Sequence, residues 1–515
     1  MICNFLFGAE LMNCSNNIST NLTNCFNNIK INHFSEMVVE KFEMTEMENK
    51  AGGNKRFPWT LWFCVITADL LNVTTGLSMV WPSAVLEMLH STDPEVNPLP
   101  EPLKPMELSI MMASSGVASL ISFFVMAKIS DRIGRRLSMR YLGIVYAGTF
   151  VAMGYGRRVY VYVITFFING LAAAGIFINV SIYTGEISDD RNRALIGCLF
   201  GLMTPVGNFL GYSFAAILNS VKLFSLICTI PAIVHVVLTF FIVESPTFLV
   251  GKNKKDEAIL VIKKLRHYTN ISDAEKEYEN IVNFNSSSNK EQKTISDLVH
   301  NPISRRALLL GFTLLSAQQF TGTNTIINYV VPIFNEAGAS LSGTVISILL
   351  GLAQMVVTIV ATSTVHKFGR RPLLLLSSCM CTVLLFCLTF YFYIKDVNVS
   401  IIDNIRWLPI VCVITFFVGY GLGLAPIPVV LVGELFRNEI RAVALAVVVV
   451  AQCTLTIIIS FGFPIVSESL GIYTCFLVFS IGTLVCLVLI YRYVPETRGK
   501  SFQEIQDILS GLVKS

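Results

Sequence analysis

The residues from Gln318 to Tyr329 read QQFTGTNTIINY, and eight of these twelve side chains can form hydrogen bonds. They lie within an otherwise apolar run, 307–334. On an α-helix that turns about 100° per residue, one arc of about 140° would hold a polar stripe of Gln318, Thr321, Asn324, Thr325, Asn328 and Tyr329. Gln319 and Thr323 fall off that arc unless the helix is distorted near Gly322.

Uncharged amides both donate and accept hydrogen bonds, so this stripe suits a neutral ligand that carries many hydroxyl groups. A hydroxyl that leaves water and gains no partner costs about 1–3 kcal/mol, so such a site needs many polar groups. Gln354 and Gln452 are further lone amides in apolar runs, and we expect them to face the same cavity. The alternative is that amides join neighbouring helices, which would explain one or two amides but not four.

The composition indicates a membrane protein. Of the 515 residues, 53% are hydrophobic and only 14% are charged, whereas about 25% of the residues in soluble domains are charged. The net charge of +4 is too small to indicate nucleic-acid binding. The 13 cysteines show no CxxC spacing, and most lie in apolar runs, so they predict neither a disulfide framework nor a metal site.

Twelve apolar runs are long enough to cross a bilayer core of about 30 Å, and the third, near 138–156, is the weakest. We therefore predict an all-α membrane protein with twelve transmembrane helices. With both termini inside, 32 of the 38 Lys and Arg residues fall on the inner side and six on the outer side. Without the long central loop the ratio is still 21 to 6, which predicts cytoplasmic termini.

The predicted organisation has five parts. They are a disordered cytoplasmic tail (1–55), a six-helix half (56–250), a cytoplasmic loop with short helices (251–306), a second six-helix half (307–494) and a cytoplasmic C-terminal tail (495–515). In the loop, Ile259, Ile262 and Leu265 fall near one face of an amphipathic helix. Asn398 lies in an NVS sequon on the predicted outer side, so it is a candidate for glycosylation.

Three pairs of motifs recur in the same order, each six spans apart. DRIGRR (131–136) matches HKFGRR (366–371), GEISDDRNRA (185–194) matches GELFRNEIRA (433–442), and VESPTF (243–248) matches VPETRG (494–499). The order indicates a duplicated six-helix unit with a binding site between the halves near the middle of the membrane.

The repeated charges lie at the predicted cytoplasmic ends of helices. Lys and Arg there follow from topology, but acidic residues contribute little to orientation, so the paired glutamates need another explanation. We predict an inner gate of salt bridges, in which Glu186 and Arg193 join Arg135 and Arg136, and Glu434 and Arg441 join Arg370 and Arg371. Partly exposed pairs contribute about 1 kcal/mol or less each, which suits a gate that must open and close.

Other functions find less support. Asp69 is the one acid deep in a predicted span and could relay protons, although it could also lie near the inner water layer or be satisfied by Asn72. His235 is interpreted as a packed, hydrogen-bonded histidine. No phosphate-binding glycine loop and no catalytic or metal-ligand cluster stands out, so we expect neither an enzyme nor a cofactor, and no obligate protein partner.

The ordered blocks QQFTGTN, SDRIGRR, YTGEISDDRNRA, FGRRPLL, ESPTFL and VPETRGKSFQEI resemble the sugar porter family of the major facilitator superfamily over residues 57–506. The shorter blocks, and GN at 207–208, are similar to its insect facilitated trehalose and glucose transporters. The resemblance implies the major facilitator fold, alternating access in the plasma membrane, a sugar substrate held mainly by the second half, and a cytoplasmic helical subdomain.

By position, the resemblance places sugar contacts at Gln318, Gln319, Asn324 and Gln354. Asn328 stands where the family often has tyrosine, and Gln452 where it often has asparagine. Proton-coupled members carry an aspartate that aligns with Thr75, not with Asp69, so facilitated diffusion is the main prediction. Proton-coupled sugar or polyol symport and a non-transporting sugar sensor remain the alternatives.

Several positions depart from the family pattern. Val429 replaces its tryptophan in the tenth span, and Phe166 replaces its arginine in the fourth span. Gly201 stands near its glutamine in the fifth span, and His366 replaces the acid before the second GRR. The missing tryptophan and glutamine favour a sugar other than glucose, a larger sugar or a polyol.

Overall fold

A computed structural model describes residues 58–93, 96–189, 191–218, 220–288, 298, 301–397, 402, 404–436, 438–498, 500 and 504. The side chains at 284–288, 362–368, 438, 439 and 442 are not part of this description. Residues 59–515 form one compact unit. The predicted N-terminal tail, Asn398 and most of the C-terminal tail lie outside the described residues.

The described part of the chain is helical. The first half contains α1 (Trp59–His90), α2 (Pro105–Ile133), α3 (Arg135–Tyr155), α4 (Val159–Ile187), α5 (Arg193–Ile217) and α6 (Val221–Leu238). The central segment contains α7 (Pro246–Gly251), α8 (Lys255–Arg266) and α9 (Ile271–Ser288). The second half contains α10 (Pro302–Phe320), α11 (Thr323–Ala337), α12 (Gly343–Phe368), α13 (Arg370–Val397), α14 (Leu408–Leu422), α15 (Ile427–Leu435), α16 (Asn438–Leu470) and α17 (Ile472–Tyr493).

The helices of the two halves, without those of the central segment, form twelve membrane spans. Ten segments among the described residues qualify by length and hydropathy, and one of them joins α14 and α15 into the tenth span. The other two are α3, which begins with two arginines, and the seventh span, which consists of α10 and α11 and contains the polar stripe. Large apolar side chains such as Ile164, Phe177 and Val488 are exposed, as a surface that faces lipid requires.

The seventh span is interrupted twice. Gly322 adopts φ 66°, in the left-handed region, and separates α10 from α11. A Cβ at Gly322 would lie 2.5 Å from the ring of Phe479, so both the conformation and the packing require glycine. Tyr329 is non-helical at φ −128° and ψ 15°, three residues before Pro332. The distortion expected near Gly322 is therefore present, and a single regular helix does not describe the stripe.

The two halves pack against each other along three pairs of helices. α2 contacts α16, α5 contacts α12, and α1 contacts α11. The first half is held together mainly by contacts of α2 with α4, α1 with α5, and α3 with α6. This arrangement places the one amide side chain of α5, Asn208, opposite the one of α12, Gln354.

The central segment packs against the end of the first half. Ile259, Ile262 and Leu265 on α8 are buried, as their spacing predicts. Arg266 donates hydrogen bonds to the carbonyl oxygens of Ile187 at 2.7 Å and Ser188 at 3.0 Å. The same guanidinium donates to Glu277 on α9 at 3.0 Å. Arg266 thus joins both loop helices to the end of α4.

Candidate functional site

Gln318 lies at the end of α10 and uses its whole amide group in contacts with the protein. Its Nε2 donates to the carbonyl oxygens of Leu424 at 2.8 Å and Ala425 at 3.1 Å. Its Oε1 accepts a hydrogen bond of 3.2 Å from Nε2 of Gln452. The structure therefore brings Gln318 and Gln452 together, at the point where the tenth span is interrupted.

A second amide pair joins the two halves. Nδ2 of Asn208 on α5 donates to Oε1 of Gln354 on α12 at 2.8 Å. Both residues are buried, and each has one polar atom without a partner among the described residues, Oδ1 of Asn208 and Nε2 of Gln354. Buried polar atoms without a partner are uncommon and often mark a ligand position. Sequence reasoning did not assign Asn208 to the site, although a lone amide in an apolar span was the signal that selected Gln354.

The rest of the stripe divides into two groups. Asn324 and Asn328 are half-buried, and neither amide has a side-chain hydrogen bond to another described residue. Gln319 is buried and likewise makes no such bond within the described part of the chain. The hydroxyl of Thr321 instead bonds locally, to the carbonyl oxygen of Gln318 at 2.6 Å and to the hydroxyl of Thr323 at 2.8 Å. The amides, rather than these hydroxyls, are the groups available to a ligand.

The predicted outer ends of the halves are joined through α11. Tyr212 on α5 donates its hydroxyl to the carbonyl oxygen of Ile327 at 2.9 Å. The backbone N–H of Val331 donates to Oγ of Ser83 on α1 at 3.0 Å. These two backbone groups would bond each other in a regular helix, so side chains of the first half satisfy both sides of the interruption near Tyr329. Closer to the outer surface, Asn335 donates to Glu87.

At the predicted inner end of the first half, Arg135 and Glu186 form a two-point salt bridge. Nε and Nη2 of Arg135 each lie 3.1 Å from a carboxylate oxygen of Glu186, and Nη2 also lies 2.9 Å from Asp131. Ser245 donates its hydroxyl to Glu186 as well. Oε1 of Glu244 accepts from the backbone N–H of Arg135 at 3.0 Å.

The second half repeats this cluster. Nη1 of Arg370 lies 2.7 Å from Oε2 of Glu434. Thr497 occupies the place of Ser245 and donates to Glu434 at 3.1 Å. Glu496 occupies the place of Glu244 and accepts from the backbone N–H of Arg370 at 3.2 Å and Arg371 at 3.0 Å.

The glutamates of the third motif pair are residues whose role sequence reasoning missed. Glu244 and Glu496 satisfy the free N–H groups at the first turns of α3 and α13, where a negative charge also favours the helix dipole. Gly134 (φ 98°) and Gly369 (φ 84°) precede those turns, and a Cβ there would approach the carboxylates at 2.6 and 3.0 Å. The signal was available, because these glutamates recur with the glycines.

The remaining gate candidates are placed differently from the prediction. Arg136 donates to the carbonyl oxygens of Thr239 and Phe240, and Arg371 donates to that of Tyr491, so neither bonds the predicted glutamate through its side chain. Arg441 has a buried Nε without a hydrogen-bond partner in the described residues. Arg193 begins α5 and is engaged in a contact. Each of the two salt-bridge clusters joins helices of its own half.

The polar residues of the first-half core are enclosed. Asp69 is buried, and its Oδ1 accepts a hydrogen bond of 3.0 Å from Asn72, whereas Oδ2 has no partner among the described residues. His235 is buried with Nδ1 2.6 Å from the carbonyl oxygen of Thr67, as interpreted from sequence. Within the described residues, no group of three His, Cys, Asp or Glu side chains could hold a metal ion.

Comparison with known proteins identifies the family. The profile of the family described as "Sugar (and other) transporter" matches residues 23–509. The chain belongs to this sugar transporter family.

Relatives and solved structures agree with this assignment. The chain is 28% identical over 67% of its length to "Facilitated trehalose transporter Tret1" of Culex quinquefasciatus. It is 24% identical over 92% of its length to the Tret1 of Drosophila mojavensis. These alignments cover 66% and 57% of the relatives' own lengths. The inward-open xylose transporter XylE of E. coli shares the fold, with a TM-score of 0.72 at 19% identity over 87% of this chain and 99% of that one.

The residues that depart from the family's sequence pattern differ in how far they are buried. Phe166 is buried and packs edge-on against Trp81, with ring centroids 5.7 Å apart. Val429 on α15 is about half exposed. The side chain of His366 lies outside the described residues.

Proposed function

We propose that the protein carries a neutral sugar across the plasma membrane by facilitated diffusion, with alternating access to a site between its halves. The observation that carries this proposal is the meeting of uncharged amides, buried at Asn208, Gln354 and Gln318 and half-buried at Gln452. Each amide can exchange a protein partner for a sugar hydroxyl. A charged solute would instead require a buried counter-charge.

The substrate is trehalose or a hexose, and trehalose is favoured. The two relatives named above are described as trehalose transporters. The sequence also carries Val429 where the family pattern has a tryptophan, and the smaller side chain favours a larger sugar, such as a disaccharide.

We assign sugar contacts to Gln318, Gln319, Asn324, Asn328, Gln354 and Gln452, and add Asn208 from the first half. The inner gate comprises the two arginine–glutamate clusters, with Arg193 and Arg441 beside them. Both termini are cytoplasmic because Lys and Arg are concentrated on that side. The domain boundaries and the glycan at Asn398 follow the sequence prediction.

The test is uptake of labelled trehalose, glucose, fructose and inositol by liposomes that contain the purified full chain, with and without a pH gradient. We expect saturable uptake of at least one sugar that is indifferent to the gradient. Absence of uptake for all four would refute transport and favour a sensor. Uptake that requires an inward proton gradient would favour the second candidate, a symporter that uses the unpartnered oxygen of Asp69.

A further inference from the structure

The tenth span is interrupted between α14 and α15, at a point where the backbone lacks helical partners. The carbonyl oxygen of Leu424 has no helical donor, because the residue four positions ahead is Pro428. Gly423 adopts φ −140° and ψ −61°. A Cβ at Gly423 would lie 2.5 Å from the carbonyl oxygen of Leu373, so the interruption is pressed against α13.

Two side chains brace this interruption from opposite sides. Gln318 on α10 donates to the carbonyl oxygens of Leu424 and Ala425. Ser377 on α13 accepts from the backbone N–H of Leu424 at 3.0 Å. Inside a bilayer, an unsatisfied carbonyl would cost several kcal/mol, so these bonds hold the interrupted backbone in one place.

The braced point lies just before the short helix α15. α15 begins two residues after Ala425 and carries Glu434 near its other end, where Glu434 bonds Arg370. Nine helical residues span about 13 Å, so α15 links the central amides to the inner cluster. A Cβ at Gly433 would meet no atom within 4 Å, which shows space beside this end of α15.

We propose that Gln318 is a positioning residue that couples occupancy of the central site to the inner gate. Both of its N–H donors are engaged, so a sugar hydroxyl that accepts a hydrogen bond from this amide must displace Leu424 or Ala425. Displacement from Leu424 and Ala425 releases α15, and Glu434 moves with it. The coupling rests on the proposed function, whereas the bracing does not.

Hydrogen–deuterium exchange of the peptide 423–435, measured without sugar on the purified full chain, tests the brace. Gln318→Leu should speed exchange in this peptide by about 2- to 10-fold, the factor expected for loss of a net hydrogen bond. Gln319→Leu is the matched control, because it removes the neighbouring amide and should leave the peptide unchanged. Ser377→Ala, which touches only the other side of the interruption, should also speed exchange.

Unchanged exchange in both Gln318→Leu and Ser377→Ala would overturn the brace. Equal acceleration in Gln319→Leu would do the same, because it would indicate general loosening of α10. If Gln318→Leu does not fold, Ser377→Ala and the wild-type protein still decide the outcome.

Addition of the transported sugar tests the coupling. Exchange of the same peptide should rise in the wild-type protein and should not rise further in Gln318→Leu. A sugar that is transported without any change in the wild-type peptide would overturn the coupling. If no sugar is transported, the proposed function and the coupling both fail, whereas the sugar-free difference between Gln318→Leu and Gln319→Leu would still establish the brace.

Discussion

The inner ends of the two halves use the same contacts but bury them to different extents. In the first half, the side chains of Arg135 and Glu186 are 10% and 16% exposed. In the second half, those of Arg370 and Glu434 are 26% and 30% exposed. Water therefore reaches the second cluster more readily, and water weakens charge–charge attraction.

Additional contacts strengthen the same difference. Asp131 supplies Arg135 with a second carboxylate, whereas its counterpart by sequence is His366. Arg266 further clamps the end of α4, one residue beyond Glu186. We infer that the first cluster is a firm support and that the second cluster is the part of the gate that moves.

The largest expected effect distinguishes the two clusters by stability. Glu186→Gln should lower the free energy of unfolding by about 2–3 kcal/mol, because it removes a charged acceptor from a nearly buried guanidinium. Glu434→Gln should cost about 1 kcal/mol or less, as for partly exposed pairs. Thermal unfolding of both variants in detergent measures the difference. Equal losses would contradict the division into support and moving part.

The next effect concerns the amide pair that joins the halves. Asn208→Leu and Gln354→Leu should each weaken sugar affinity by about tenfold, since each removes one or two hydrogen bonds. The double variant should lose less binding free energy than the two single variants lose together, because the residues bond each other. Sugar binding to the purified variants measures this, and an affinity that is unchanged in both single variants would place the sugar away from the pair.

A third effect concerns the second half and is lost under acid. Burial of Glu496 opposes its ionisation, but the backbone N–H groups of Arg498, Arg370 and Arg371 outweigh burial and lower its pKa. The stability from this ionised carboxylate is present above the ordinary value of about 4.3. It is lost as the pH falls through the lower folded value.

Glu496→Gln should therefore cost about 1 kcal/mol at pH 7, as for loss of a helix cap, and less under acid. Melting temperatures of the variant and the wild type at pH 7 and near pH 4 test this. Glu257→Gln, at an exposed position on α8, is the control and should show little difference at either pH. A difference between Glu496→Gln and the wild type that grows on acidification would contradict the capping role.

The smallest expected effect tests whether the second cluster is the part of the gate that moves. Arg441→Ala should slow transport several-fold while sugar affinity is nearly retained, because we assign Arg441 to the inner gate and not to the sugar contacts. Its counterpart Arg193→Ala should slow transport less, since the first half is the firmer support. Rates of uptake and equilibrium binding, measured on the same preparations, separate the two quantities. Equal loss of binding in both variants would refute this assignment.

Much of the architecture was predictable because hydropathy and charge are local in sequence. Twelve spans, two halves and the repeated clusters follow from apolar runs and recurring motifs. The interruption at Gly322 was foreseen because Gln319 and Thr323 did not fit one helical face. The hydrogen bond between the hydroxyls of Thr321 and Thr323 was not predicted, because the helical arc separated these two residues.

Contacts between distant segments were not predictable from one sequence. Gln318 meets Leu424 across more than 100 residues, and nothing local in QQFTGTNTIINY indicates that partner. Asn208 was overlooked for the same reason, because its importance comes from Gln354 on the opposite half. The arginine Arg136 was assigned to a glutamate by charge, whereas in the fold carbonyl oxygens at the end of α6 lie closer.

Counterflow in liposomes tests alternating access most directly. Vesicles that contain the full chain are loaded with a high concentration of the best-transported unlabelled sugar and diluted into a trace of the labelled sugar at equal pH. We predict a transient accumulation of label above its equilibrium level, because outward movement of unlabelled sugar returns empty sites to the outside. A rise of label that never exceeds equilibrium would contradict a carrier.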